Sequence, residues 1–283
     1  MSATRTAVIG ICLAACTSEP TSIEEDVFVA DWGADAIVRY DGVTGELVGV
    51  FAAGSELRVD RPASVRRGPG DQLYSAGFGR GDVVRYDLAS GAMMDVFYRD
   101  TTLLEEPVEL AFAGDELVVL GNDTANLVVL APNGTVARTF GYPIMRGGHD
   151  FAIAEGQVFV ATDSHPELGH AIQVWDLASG TLVRSFGAYD ELASATGIAV
   201  HDGIVYACDY QLDRVVRYDA ATGASLGMLV ELAEPISLEV GPDGALYVLD
   251  ADGIQRLDRE TGEYLGRLVD TTGLEYPRSF TFI

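Results

Sequence analysis

At 283 residues with 48% hydrophobic content, the chain is long enough to bury a sizeable core. Its net charge of −25 comes from 43 acidic residues against 18 basic ones, all arginine, which excludes nucleic acid as a partner and any charge-driven hold on an anionic membrane surface. Three cysteines are too few for a disulfide framework.

The N-terminus reads as a processing segment. Met1 to Thr6 carries Arg5 and no acid, and Ala7 to Ala15 is apolar, small and too short to span a bilayer. Its end, Leu13, Ala14, Ala15 and Cys16, resembles the lipobox of bacterial lipoprotein signal peptides. The resemblance implies that residues 1–15 are removed, that the Cys16 thiol is acylated, and that residues 16–25 form a polar tether to a folded domain over residues 26–283. It implies a place in the bacterial cell envelope, at the outer membrane or cell surface, with membrane contact through the lipid alone. Losing Arg5 would take the net charge to −26. Cys12 would leave with the signal, and Cys208, inside an alternating run, reads as a small buried hydrophobe.

From Val27 onward the chain repeats itself. The ends of successive apolar runs fall at Asp31, Gly77, Gly121, Thr162, Asp209 and Asp250, spaced 46, 44, 41, 47 and 41 residues apart. A second run follows each of these and ends at Tyr40, Tyr86, Leu130, Trp175, Tyr218 and Leu257. Five copies then show Asp and, four residues on, Gly preceded by Ser or Thr: Asp41 with Gly45, Asp87 with Gly91, Asp176 with Gly180, Asp219 with Gly223, and Asp258 with Gly262. An Asp that accepts from turn N–H groups and a Gly free to take positive φ predict a hairpin connection, with Asn133 and Gly134 as the third copy's variant. Another short strand precedes each first run, opened by Pro62, Pro107, Pro235 and Pro277, or by Gly148 and Ala195 in the same column.

Four short strands per unit of about 45 residues, apolar at consecutive positions where both sheet faces are covered, predict an all-β fold: a six-bladed β-propeller of four-stranded antiparallel blades. The first unit lacks an opening strand. Tyr276 to Phe280 matches Arg61 to Val65, yet the chain ends at Ile283, so the C-terminal strand is expected to complete the N-terminal blade and close the ring.

The copy with Asp209, Asp213, Arg214, Val215, Tyr218 and Gly223 resembles NHL-repeat propellers, and Ile172 to Phe186, with Trp175, Asp176 and Gly180, is also similar to a WD-repeat blade. The resemblance covers the whole folded region. It implies a fold that hosts enzymes and plain binding proteins alike. In such folds the loop between second and third strands and the loop entering the first strand share one face around the central channel. That placement makes Trp32, Phe78, Arg80, Tyr142, Arg146, His149, Asp150, Tyr210 and Arg278 the candidate ligand-binding face, since aromatic and arginine side chains anchor interfaces. The recurrent Asp31, Asp209 and Asp250 are expected to cap turns. His201 is expected on the opposite face.

Three of the four histidines, His149, His165 and His170, fall on this face with Asp163, and imidazole with carboxylate is a ligand set for a divalent metal, zinc or calcium. Amidating lyases carry metal-binding His on several blades, but the equivalents of His149 here are Ala63, Val108, Thr196, Ile236 and Arg278. Virginiamycin B lyase-like propellers need His in the last blades, and no His follows His201. Lactonases of the regucalcin type would need a set such as Glu109, Asn126 and Asp209. The preferred function is therefore a monomeric, non-enzymatic, lipid-anchored module that binds a protein, peptide or glycan. The alternative is a metal-dependent hydrolase or lyase centred on the fourth blade.

Overall fold

The computed structural model describes residues 26–145, 147–162 and 171–283. Cys16 and its tether, Arg146, Asp163, His165 and His170 lie outside the described residues. The rest is six antiparallel four-stranded sheets set around one axis. The innermost strands, Pro277–Phe282, Pro62–Gly68, Pro107–Ala113, Gly148–Ala154, Ala195–His201 and Ser237–Val240, contact one another in that order and form a closed ring. They belong to blades 1 to 6 respectively.

The pattern of burial follows the position of a strand in its blade. Second strands are covered on both faces, so Val27–Asp31 is buried throughout and Ile204–Asp209 nearly so. Outer strands such as Leu47–Ala53 expose most of their residues. Apolar residues fill the seams between blades, as where Phe28, Ile37, Val65, Leu73 and Tyr86 join blades 1 and 2.

Closure is as the sequence predicts. Val27 pairs with Phe282 and Val29 with Phe280, and Asp26 and Ile283 exchange backbone hydrogen bonds of 3.0 and 2.8 Å. The final strand thus completes blade 1 and, among the described residues, pairs the otherwise open edge of Val27–Asp31.

The Asp/Gly turns have two roles. Within the turn, Asp219 Oδ1 accepts from the Thr222 N–H at 2.8 Å and from its hydroxyl at 2.6 Å, and Gly223 takes φ +73°. Between blades, the same glycine lies against the outer strand of the preceding blade. A Cβ added at Gly45, Gly91, Gly134, Gly180, Gly223 or Gly262 would come under 3.0 Å from Leu268, Phe51, Phe97, Phe140, Phe186 or Leu229 respectively. The motif is therefore a docking joint as well as a hairpin turn, and the joint between Gly45 and Leu268 carries it across the closure.

Candidate functional site: the loop face and the central channel

The loop face is assembled by Asp residues that tie two loops together. Asp31 accepts from the N–H groups of Tyr276 at 2.8 Å and Glu275 at 2.9 Å, both on the loop entering the inner strand of blade 1. Asp209 accepts from Ser194 at 3.1 Å and Ala193 at 3.3 Å in the same way, and from the Arg214 guanidinium at 3.2 Å. Asp250 instead caps its own turn through Asp252 and Gly253 N–H groups. Asp31 and Asp209 thus reach further than the turn caps expected of them. Both carboxylates serve to tie neighbouring loops together.

On this frame stands a ladder of aromatic rings and guanidinium groups. The Trp32 and Phe78 rings lie 4.2 Å apart between blades 1 and 2. Arg61 sits over both, 5.6 Å from Trp32 and 5.2 Å from Phe78. Arg278 sits over Trp32 at 5.6 Å and Tyr276 at 5.7 Å, and among the described residues it makes no ion pair. Arg80 is pinned to Asp60 at 3.5 Å. Tyr210 is exposed nearby, its phenol pushed up by the Glu234 charge and, more weakly, by burial and Tyr276, with Arg278 acting in the opposite sense.

Two members of the expected face need correction. Tyr142 is 76% exposed but stands on the loop into blade 4, across the ring from Trp32, so the aromatics form no single patch. Phe78 is half-buried and packs against the seam of blades 3 and 4, which gives it a share in the core.

Asp150 needs a larger correction, because it is buried in the channel wall below the face. A bulge explains its position. In the inner strands the register shifts between Pro62 and Ser64, Pro107 and Glu109, and Gly148 and Asp150, and again around Arg278, leaving one extra residue each time. The bulge turns two successive side chains toward the axis, so that Val108 with Glu109, His149 with Asp150, and Arg278 with Ser279 join Ile236 and Ser237 in lining a small cavity of ≈20 Å³ at the channel mouth, about the room one water molecule needs. His149 and Arg278 share the upper level. One step deeper lie Ser64, Glu109, Asp150, Gly197, Ser237 and Ser279, one from each blade.

The chemistry of this deeper ring is uneven. Glu109 Oε1 accepts from the Ser64 hydroxyl at 2.6 Å and the Leu110 N–H at 2.8 Å, with the Arg66 guanidinium 3.2 Å away. Asp150 accepts from Phe151 N–H at 2.7 Å and, across to blade 5, from Ile198 N–H at 2.9 Å. Burial first, then the Glu109 charge, raises the Asp150 carboxyl well above its ordinary range. Burial also raises Glu109, against the pull of Arg66. Two neighbouring carboxyls in a dry wall with one guanidinium cannot both be ionised cheaply, and each shifts in the direction that favours its protonated form.

Sequence reasoning missed Arg66, Ser64 and Ser279, and treated Glu109 only as a metal ligand. The signal was present: a charged residue between Val108 and Leu110, in the same repeat column as Asp150. Among the described residues no group of three or more His, Cys, Asp or Glu is placed to hold a metal ion, and of the expected set only His149 is described. His201 is on the opposite face beside Asp202, at 3.2 Å. Cys208 is fully buried, and burial pushes its thiol well up, which leaves it inert.

No protein-family model and no curated protein sequence matches the chain. Among solved structures, a chain from the crystal structure of a nidogen/laminin complex is similar at TM-score 0.74 and 13% identity, over 91% of this chain and 98% of that one. The fold they share is the six-bladed β-propeller. The computationally designed Ika8 protein is similar at TM-score 0.57 and 18% identity, over 88% of this chain and 73% of that one. At these identities the likeness is one of fold.

Proposed function

We propose that the protein is an extracytoplasmic binding module, lipid-anchored through Cys16, that engages a protein, peptide or glycan partner with its loop face and performs no chemistry on it. The observation that carries the reading is the ladder Arg61, Trp32, Phe78 and Arg278. It gathers aromatic area and guanidinium groups at one edge of the channel mouth, on a chain that is otherwise strongly acidic. Such groups bury well against a partner and supply directed donors. That a propeller of this shape occurs in a nidogen/laminin complex supports a protein partner in general.

The test is a comparison on peptide and glycan arrays, with soluble extracellular proteins of the same cells as a third panel. The wild-type protein is expected to give a defined signal that Trp32→Ala with Phe78→Ala removes and Tyr142→Ala leaves intact. Equal signals from wild type and the double variant contradict the reading. The anchor is tested separately: Cys16→Ser should yield an unacylated protein released from the membrane fraction, and retention at unchanged mass contradicts it.

A further inference from the structure

One copy of the repeat breaks the tie that the others make and leaves a cavity in its place. Asp31, Asp209 and Asp250 stand in the same repeat column. Asp31 gives one oxygen to the Tyr276 N–H and the other to the Glu275 N–H, and Asp209 divides its two between Ser194 and Ala193. In blade 6 no such tie forms. The Asp252 N–H, the Gly253 N–H and the Gln255 amide all reach Asp250 Oδ1, at 2.9, 3.0 and 2.9 Å, and among the described residues no donor reaches Oδ2. The side chain is 5% exposed, and it lines a cavity of ≈450 Å³ between the loops of blade 6 and the crossing to blade 1, residues 271–277.

The charge on the cavity wall is one-sided. Glu234, Asp250, Asp252, Asp270 and Glu275 line it with a single cation, Arg267, which pairs with Asp270 at 2.8 Å and donates to the Asp252 carbonyl at 3.3 Å. Burial raises the Asp250 carboxyl against the pull of its hydrogen bonds, and the charge that acts on it, Asp252, has the same sign. Ile236, Leu274, Tyr276 and Pro277 add an apolar side. A metal ion does not match this wall, since among the described residues no three carboxyls are placed to share one.

We infer that this cavity binds an organic cation, an ammonium or guanidinium on an alkyl stem, its charged head on Asp250 Oδ2 and its stem along Leu274 and Pro277. A charged donor uses the lone pairs that Oδ2 leaves vacant, in a setting where the bond is stronger than in water. The apolar side covers the stem as protein surfaces cover the stems of lysine and arginine. A volume of ≈450 Å³ suits a short-chain ligand rather than a bare ion. A free amine offers this chemistry, and so does the Lys or Arg side chain of a partner.

The cavity adjoins the aromatic ladder at Tyr276 but takes its charge from blade 6, so the two can be tested apart. Calorimetry and thermal shift on wild-type protein at physiological salt would use butylammonium, butylguanidinium, N-acetyl-lysinamide and N-acetyl-argininamide, with butanol and calcium as controls. A cation is expected to bind at one site and raise the melting temperature with concentration, while butanol and calcium do not displace it. Preference for the butyl cations assigns the site to a free amine, and preference for the blocked residues assigns it to a partner's side chain; either upholds it. Asp250→Asn keeps an acceptor for the turn and is expected to weaken binding roughly tenfold. Glu234→Gln, on the exposed rim and without bearing on the fold, is expected to weaken it roughly threefold. Asp219→Asn, and Trp32→Ala with Phe78→Ala, should leave it unchanged. Absence of binding by every cation, displacement by calcium, an equal loss in Asp219→Asn, or unaltered affinity in Asp250→Asn or Glu234→Gln would each overturn the inference.

Discussion

The outer turns and the inner ring of this propeller are built from the same repeat and have diverged to different degrees. At the outer turns six copies do one thing: a glycine at positive φ closes a hairpin and docks on the previous blade. In the inner ring the residue type at the corresponding position changes from blade to blade, from Ala63 and Val108 to His149 and Arg278, and from Ser64 and Gly197 to Glu109 and Asp150. The lesson is that regularity in this chain reports packing and irregularity reports chemistry. A docking joint must be repeated because every blade meets a neighbour, whereas a channel needs its polar groups on particular walls only.

The largest effect comes from breaking the regular part at its closure. Deleting residues 276–283 removes the partner of Val27–Asp31, uncovers two sheet edges and strips Phe280 and Phe282 from the seam of blades 6 and 1. Insoluble protein, or a melting temperature lowered by tens of degrees, is expected. An unchanged melting curve would mean the ring is held without its last strand.

Next comes the irregular part. Arg66→Leu leaves Glu109 and Asp150 without their cation and is expected to cost about 3 kcal/mol at neutral pH by chemical denaturation. The sign of the pH effect follows from the raised carboxyls. A folded-state pKa above the unfolded one binds extra protons in the native state, so stability falls as pH rises from the ordinary carboxylate range through the raised value. Arg66→Leu should steepen that fall, and adding Glu109→Gln should restore a shallow one. A pH-independent loss in the single variant would show that Arg66 acts through packing alone.

A single joint of the regular part should matter less. Gly45→Ala must hold an L-residue near φ +71° against the backbone of Leu268, and a cost of about 1–3 kcal/mol is expected at equal activity of the loop face. Gly203→Ala is the control, with positive φ but open space around its Cβ, so a smaller loss there isolates the docking contribution.

The smallest effect concerns the exposed turn carboxylates. Side-chain and backbone hydrogen bonds from Thr222 lower Asp219, as those from Ser179 lower Asp176 and those from Thr261 lower Asp258. Depressed folded-state values stabilise above the ordinary carboxylate range and are lost as pH falls through them, opposite in sign to the channel pair. Asp219→Asn should therefore blunt the acid side of the stability profile slightly, and an unaltered profile would remove these turns from the account.

The fold was legible because its determinants are local and repeated. The Asp-to-Gly turn, the opening Pro and the match of Tyr276 to Phe280 with Arg61 to Val65 each carry their own geometry, and six aligned copies average out the exceptions. The loop face was half legible. Trp32 and Phe78 could be placed on it from strand order, but their stacking with Arg61, and the isolation of Tyr142 on the far side, depend on which blades adjoin in space. The channel was least legible because it rests on a one-residue bulge. Without that bulge His149 and Asp150 would point to opposite faces of the strand, as adjacent residues normally do. The tool that could have found it is the repeat itself: aligning Ser64, Glu109, Asp150, Gly197, Ser237 and Ser279 shows a polar column inside an apolar strand.

The claim that the irregular column holds chemistry is tested most directly by carboxyl NMR of protein labelled at Asp and Glu side chains, titrated from acid to neutral pH with Glu109→Gln and Asp150→Asn for assignment. The account predicts that Asp150 titrates well above the ordinary carboxylate range, and that Glu109→Gln moves it back toward that range by removing the neighbouring charge. Ordinary titration of both carboxyls, or an Asp150 indifferent to the loss of the Glu109 charge, would contradict it.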